Sequence, residues 1–106
     1  APGVLWTAAH HGIPLLSVMN NNRAYNMEVM HVQRMCNARN RDIDRGQIGS
    51  EITDPNIDYA KMASGLGVYS EGQITNTSDL GPALRRAIEV VKRDEPALID
   101  VVTQAR

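Results

Sequence analysis

The apolar positions of the chain form seven short segments with two kinds of spacing. Apolar residues three and four positions apart predict amphipathic helices over residues 2–11, 27–37, 54–67 and 77–93. Short continuous apolar runs predict buried strands over residues 13–19, from residue 68 onward, and over residues 97–102. The order helix, strand, helix, helix, strand, helix, strand predicts an α/β fold, a partial parallel sheet with flanking helices.

Capping and turn-forming residues predict where several of these elements begin or end. Gly12 is expected to end the first helix. Asp54 and Pro55 predict the start of the third helix, because aspartate is a common N-cap and proline suits the first helical position. Glu71 followed by glycine is expected to break the second strand, which leaves Ile74 in an edge segment.

The last helix and the last strand carry two further expectations. Residues 77–79 are expected to cap the helix, so that Pro82 falls in its first turn, where proline is tolerated. Asp100 lies inside the last strand, and we expect it to be solvated or paired at a sheet edge rather than catalytic. The predicted core stripe of the helix consists of Leu80, Leu84, Ala87, Ile88 and Val91.

The first predicted strand is followed by three consecutive asparagines. Asn20, Asn21 and Asn22 favour a turn over a strand, so residues 20–26 are expected to form a loop. Ligands of open α/β sheets bind at the carboxyl ends of strands. Either these amides satisfy backbone groups in a tight turn, or they bind a ligand, since Mg²⁺ takes oxygen ligands and substrate phosphates.

Two segments that follow the asparagines bear on whether a ligand binds there. The helix predicted from Met27 would direct its free N–H groups toward an anion held near the asparagines. Residues 38–53 form a long polar loop with no clear period, and loops of about 15 residues are often functional or mobile. This polar loop is interpreted either as a solvated surface segment or as a lid over an active site.

Composition and charge restrict the class of protein. The 106 residues are 42% hydrophobic and 22% charged, which suits one soluble globular domain spanning residues 1–106. The net charge of −1 gives no electrostatic reason to expect nucleic-acid binding, and no segment approaches the length of a membrane span. Cys36 is the only cysteine, which fits a reducing compartment, so we expect a cytoplasmic protein. His10 and His11 are adjacent, which is not the spacing of a helical metal pair.

The asparagine segment resembles a known cofactor motif. The sequence from Asn21 through Asn22, Arg23 and Ala24 to Tyr25, after a proline-led apolar strand, is similar to the second half of the thiamine diphosphate motif. That motif consists of Gly-Asp-Gly, roughly 24 to 27 further residues, and Asn-Asn. The resemblance covers nearly the whole chain and is to the C-terminal, diphosphate-binding domain of enzymes such as acetolactate synthase, benzoylformate decarboxylase and pyruvate decarboxylase.

This resemblance implies a set of ligands for thiamine diphosphate and Mg²⁺. Asn22 would give its side-chain oxygen to the metal, and Ala24 would give its backbone carbonyl. If Asn20 and Asn21 were the pair instead, Asn21 and Arg23 would take these roles. Arg23 and Tyr25 would lie beside the diphosphate, Asn21 completes the cofactor-binding segment, and the polar loop would match the segment that closes over the active site.

Other parts of the family pattern are missing from the 106 residues. There is no Gly-Asp-Gly, and the chain enters a helix without a preceding strand, so we expect that motif to lie a few residues before Ala1. The pyrimidine-binding domain, which carries the activating glutamate in the family, is absent too. We therefore assign no catalytic residue and expect no catalysis from this chain alone.

Three hypotheses follow. The chain is the diphosphate-binding part of a 2-keto acid decarboxylase or an acetolactate-synthase-like carboligase, working with the missing pyrimidine-binding domain. Alternatively, it is a stand-alone, non-catalytic interaction module derived from that domain, and its open sheet edges predict a homo-oligomer. A third hypothesis is a module that binds another phosphate near Asn22.

Overall fold

A computed structural model describes residues 2–104 and confirms the α/β class and the predicted order of elements. Residues 1, 105 and 106, which the single-domain expectation includes, lie outside the described residues. The elements are α1 (Gly3–His10), β1 (Leu16–Asn21), α2 (Asn26–Ala38), α3 (Tyr59–Gly65), β2 (Tyr69–Ile74), α4 (Thr77–Val91) and β3 (Ala97–Val102). None of the helices in this part of the chain is long and apolar enough to cross a membrane.

The described residues fall into two compact units. The first, called the sheet unit, comprises residues 2–21 and 58–102 and contains all three strands with α1, α3 and α4. The second, called the loop unit, comprises residues 22–57 with residues 103 and 104, and contains α2 and the polar loop. The three asparagines are therefore divided, because Asn20 and Asn21 end β1 whereas Asn22 begins the loop unit.

The sheet unit is built on a three-stranded parallel sheet with the order β1-β3-β2. Successive residues of a strand face opposite sides of the sheet. Ile99 of the central strand accordingly packs into one core cluster with Ala83, Ala87 and Val90 of α4. Leu98 packs on the other side with Ala63 of α3 and with residues of α1. Helices therefore cover both faces, as a parallel sheet requires.

The first strand differs from the prediction at both ends. It contains Asn20 and Asn21, which were expected in a loop, and these residues pair with the last two residues of β3. Pairing with a neighbouring strand outweighs the weak intrinsic preference of asparagine for turns. Ile13, which was expected in the strand, instead donates its N–H to the carbonyl of Ala8 and closes the end of α1.

The start of the third helix was also predicted wrongly. Asp54 has a φ of +52°, so it does not have the extended conformation of an N-cap, and residues 53–56 form turns. The cap is Asp58, whose Oδ1 accepts the N–H of Lys61 at 2.8 Å. The sequence therefore contains two aspartates suited to capping, and the fold uses the second.

The second strand continues where a break was expected. β2 runs through Glu71 and Gly72 to Ile74, with a shift of register in its pairing to β3 between Glu71 and Ile74. A Cβ atom at Gly72 would lie 2.7 Å from the Cβ and the carbonyl oxygen of Asp100. Glycine is therefore the residue that lets the two strands approach closely here, and it marks an irregularity rather than an end.

The last helix begins one residue earlier than its predicted caps. Asn76 is the N-cap and Thr77 is already helical, so Pro82 lies in the second turn and not in the first. The predicted stripe is confirmed for Ala87, which is fully buried, but Ile88 is 43% exposed. The buried face runs through Ala83, Ala87 and Val90, because small residues allow the helix to approach the sheet.

Asp100 was expected at a sheet edge, but it lies in the central strand β3. Its side chain is fully buried, and Oδ2 accepts the backbone N–H of Tyr59 at 3.1 Å. Oδ1 is buried without a hydrogen-bond partner among the described residues. The bonded oxygen anchors the first residue of α3, so the role visible in the structure is to hold that helix against the sheet.

Candidate functional site

A tight turn organises the start of the loop unit. The Oδ1 atom of Asn22 accepts the N–H of Ala24 at 3.2 Å, a local bond typical of asparagine in turns. Arg23, between them, has a φ of +56°, a left-handed conformation that non-glycine residues adopt uncommonly. One of the two open interpretations is thus realised, since the Asn22 amide does satisfy a backbone group. The carbonyl oxygen nevertheless retains a second lone pair for another partner.

The polar loop pairs with this turn, a contact that the sequence did not indicate. Ala24 and Glu51 form an isolated antiparallel bridge. Two hydrogen bonds flank it, from the Tyr25 N–H to the Ser50 carbonyl at 2.7 Å and from the Ile52 N–H to the Arg23 carbonyl at 2.8 Å. Neither bond uses the Ala24 carbonyl, which the bridge therefore leaves available to another partner. The end of the polar loop is thus held beside the asparagine turn.

Turn, helix and loop together line a cavity with a volume of about 380 Å³. Eight of the ten residues that line it have polar side chains, and six of these are amides or hydroxyls. The residues that line it are Asn22, Arg23, Ala24, Asn26, Val29, Gln33, Gln47, Glu51, Thr53 and Thr103. Three of the residues predicted from the sequence, Asn22, Arg23 and Ala24, are therefore brought to one cavity within the loop unit.

The cavity carries one basic and one acidic side chain. Arg23 is the only lysine or arginine among the lining residues, and its Nε is buried with no hydrogen-bond partner in residues 2–104. Glu51 is the only carboxylate among them. No ion pair joins Glu51 to any described cation. Buried donors are normally satisfied, so the unpartnered Nε indicates room for an acceptor such as an anionic oxygen.

The first residue of α2 lines the same cavity. Asn26 begins the helix and lines the cavity, while the N-cap residue Tyr25 makes no side-chain hydrogen bond to the helix. The first N–H groups of a helix and its dipole favour an anion when no side chain caps them. The start of α2 agrees with the predicted position to within one residue.

Two of the predicted cofactor-binding residues do not line this cavity. Asn21 is buried as the last residue of β1 and pairs with Val102. Tyr25 is 58% exposed at the N-cap of α2.

Glu51, Thr53, Gln33 and Gln47 were not singled out by sequence reasoning, although all four line the cavity. Gln33 lies on the face of α2 that also carries Val29, a helical spacing that could have indicated a shared face. Nothing in the polar loop distinguishes Glu51 from its charged neighbours, because only the bridge to Ala24 brings it to the cavity.

The donor set fits a hard cation together with an anion, and not a soft metal. Amide, carboxylate and carbonyl oxygens are the ligands that Mg²⁺ prefers. No group of three histidine, cysteine, aspartate or glutamate side chains that could hold a metal occurs within residues 2–104. The Arg23 guanidinium and the uncapped α2 terminus supply the complementary donors for phosphate oxygens.

Comparison with known proteins gives a consistent result. The family model described as "Thiamine pyrophosphate enzyme, C-terminal TPP binding domain" matches residues 3–101. A protein of Mycobacterium tuberculosis (strain ATCC 25618 / H37Rv), named "Putative acetolactate synthase large subunit IlvX", is 31% identical over 101 residues, which cover 92% of this chain and 18% of that protein. No solved structure matches the chain. The chain belongs to the family of C-terminal thiamine-pyrophosphate-binding domains of thiamine pyrophosphate enzymes.

Proposed function

We propose that this chain provides the diphosphate- and metal-binding segment of a thiamine-diphosphate-dependent enzyme, an acetolactate-synthase-like carboligase or a 2-keto acid decarboxylase. The observation that carries the proposal is the cavity of the loop unit, where Asn22, Arg23 and Ala24 meet the first turn of α2. The relative named as an acetolactate synthase large subunit supports the same enzyme class.

Two oxygen atoms of the turn are the proposed protein ligands of Mg²⁺. Asn22 would contribute Oδ1, which retains a lone pair beside its bond to the Ala24 N–H. Ala24 would contribute its backbone carbonyl, which the bridge to Glu51 leaves available. Magnesium bound by few protein ligands is commonly completed by waters and by substrate phosphates.

Donors around the cavity are the proposed binding groups for the diphosphate. The unpartnered Nε of Arg23 would donate to a phosphate oxygen, and the N-terminal N–H groups of α2 would add to it. Asn21 and Tyr25, which flank the turn, would position it. Thiamine diphosphate, when bound, supplies the carbanion-stabilising ring, and the protein supplies binding and orientation.

The chain is not proposed to catalyse the reaction by itself. The 106 residues contain no Gly-Asp-Gly, and an aspartate would supply the negative charge that two neutral oxygens cannot. The pyrimidine-binding domain, acting as a partner, would complete the site. The reducing cytoplasm, which the single Cys36 suits, is the proposed location.

Calorimetric titration with thiamine diphosphate and Mg²⁺ tests the binding part of the proposal. Weak binding is expected, because the aspartate is absent, and Asn22→Ala should lower the affinity at least ~10-fold through loss of a ligand. Asn37→Ala is the matched control, since Asn37 lies in the last turn of α2 and does not line the cavity. Equal binding by Asn22→Ala and the unaltered chain would count against the site.

An assay of pyruvate consumption tests the catalytic part. With cofactor and Mg²⁺ present, the chain alone should show no turnover above the reaction without protein. Turnover that Asn22→Ala abolishes would overturn the claim that the chain is inactive alone, while keeping its cofactor site.

A second candidate function is a non-catalytic module that assembles with a second copy of itself. The sheet unit favours it through one observation, an apolar groove of about 460 Å³ beside the edge strand β1. Leu15 and Val18 line this groove, and Val18 is 53% exposed. An open edge with apolar surface can pair with the same edge of a second copy about a two-fold axis.

Light scattering at high protein concentration tests this second function. A dimer is expected, and Val18→Lys should shift it to monomer because a charge would enter the groove. Ile88→Lys is the matched control, because Ile88 is exposed on α4 and does not line the groove. A stable monomer would remove the second function and leave the first unaffected.

A further inference from the structure

Backbone pairing brings Glu51 to the wall of the cavity. Ala24 and Glu51 are directly opposite each other in an antiparallel bridge, and the flanking hydrogen bonds are made by their neighbours. Such a non-hydrogen-bonded pair has its Cα atoms at about 4.5 Å and its side chains on the same face. Glu51 and Ala24 are therefore neighbours across the bridge, and both residues line the cavity with Asn22.

Glu51 forms no salt bridge within residues 2–104, although Arg23 lines the same cavity. A carboxylate beside an anion-binding group would oppose the binding of a diphosphate through like-charge repulsion. A divalent cation between them removes that repulsion, because it attracts both the carboxylate and the phosphate oxygens.

We propose that Glu51 supplies a carboxylate ligand, directly or through one water, to the divalent cation bound by Asn22 and Ala24. The inference rests on the proposed function, because it concerns the same cation. Glu51 converts a pair of neutral oxygen ligands into a set with one negative charge, and ligand charge is a principal determinant of affinity for hard cations. The chain should therefore bind a divalent cation in the absence of thiamine diphosphate.

Titration of the full chain with Mn²⁺ alone, followed by electron paramagnetic resonance of the free ion, tests this inference without any enzymatic readout. Mn²⁺ accepts the same oxygen ligands as Mg²⁺. Glu51→Gln should weaken Mn²⁺ binding at least ~10-fold, because it removes the charged ligand. Glu51→Asp keeps the carboxylate and should weaken binding less.

Glu28→Gln is the matched control for the loss of one negative charge in the loop unit. Glu28 lies in the first turn of α2 but does not line the cavity, so its replacement should leave Mn²⁺ binding within about 2-fold of the unaltered chain, as for a surface charge. Circular dichroism of each variant confirms that a loss of binding is not a loss of folding.

The outcomes separate this inference from the proposed function. If Asn22→Ala weakens Mn²⁺ binding and Glu51→Gln does not, the metal site stands and the role of Glu51 is overturned. If Glu51→Gln weakens binding and Asn22→Ala does not, Glu51 binds a cation but the proposed site at Asn22 fails. Absence of Mn²⁺ binding by the unaltered chain, or equal weakening by Glu28→Gln, overturns the inference.

Discussion

The sheet unit and the loop unit are each stabilised internally by a different kind of interaction. In residues 2–104, the buried apolar side chains belong to the sheet unit with one exception, Val29 of α2. The loop unit depends instead on turns, one isolated bridge and local hydrogen bonds. The residues proposed to bind the cofactor belong mostly to the sparsely packed unit.

This difference separates the residues that stabilise the fold from the residues that are proposed to bind the cofactor. A packed sheet supplies stability because β3 lies between two strands and helices cover both faces of the sheet, so that the first four residues of β3 are buried. A segment with few buried apolar side chains can keep polar groups unpaired, as Arg23 Nε and the Glu51 carboxylate are. Binding residues are commonly found on loops.

The largest expected effect is the loss of core packing in the sheet unit. Ile99→Ala should lower the free energy of unfolding by about 2–5 kcal/mol, because Ile99 is fully buried in the central strand. Ile48→Ala, in the loop unit, is the matched control and should cost less than about 0.5 kcal/mol, because Ile48 is 78% exposed. Denaturant titration measures both, and similar costs would break the comparison between the units.

A smaller but still large effect is expected at the close approach of β2 and β3. Gly72→Ala should cost about 2–3 kcal/mol, because Gly72 has a φ of +147° and a Cβ there would lie 2.7 Å from the Asp100 carbonyl oxygen. Gly65→Ala in α3, where a Cβ meets no atom within 4 Å, is the control. Denaturant titrations of both variants measure the change in the free energy of unfolding, and an equal loss in both would contradict the role of the contact with Asp100.

Local opening should distinguish the units in the unaltered chain. The amides of Leu98 and Ile99 should exchange their hydrogens on the order of 100-fold more slowly than those of Tyr25 and Ile52, because only the first pair lies in a packed sheet. Hydrogen exchange followed by NMR measures these rates. Equal protection of all four amides would contradict the assignment of low local stability to the loop unit.

The smallest effect is expected from a surface cluster of the sheet unit. Arg86 donates two hydrogen bonds to Glu71, from Nε at 2.8 Å and from Nη2 at 2.7 Å, and the Tyr69 hydroxyl donates another. The bonds from Arg86 lower the pKa of Glu71 below its usual value of 4.5, whereas the neighbouring carboxylate raises the pKa of Tyr69. Glu71→Gln should therefore lower the free energy of unfolding by less than about 1 kcal/mol at pH 7, since the cluster is partly exposed.

The sign of the pKa shift fixes the pH dependence of this cost. Because the folded-state pKa of Glu71 is lowered, its contribution to stability is complete above pH 4.5 and is lost as the pH falls through the folded value. Thermal denaturation at pH 7 and pH 3 should show the variant and the unaltered chain converging at the lower pH. A difference that does not decrease between pH 7 and pH 3 would assign the effect to packing instead of charge.

Much of the fold followed from periodicity. The helical spacing predicted α1 and α2 to within one residue at each end, and the run after Pro96 predicted β3 with its correct bounds. The class of the protein followed from the order of elements and from one short motif around Asn22, which the family match confirms.

The remaining errors have physical causes that a local pattern does not contain. Asn20 and Asn21 lie in β1 because β3 offers them partners, and Asp58 instead of Asp54 caps α3 because Asp54 lies in a left-handed turn. The position of Glu51 depends on a bridge across 27 residues of sequence, from Ala24 to Glu51. Contacts of this range are set by tertiary structure and not by propensity.

The bridge between Ala24 and Glu51 has a consequence for how variation in this family should be interpreted. If residue 24 acts through its main-chain carbonyl, most side chains at that position would preserve the ligand, so a substitution scan would find the position tolerant. Replacement of the following residue, Tyr25, by proline would remove the N–H that bonds to Ser50 and displace the carbonyl without altering residue 24. A position that tolerates many side chains can therefore still have a functional role through its main chain.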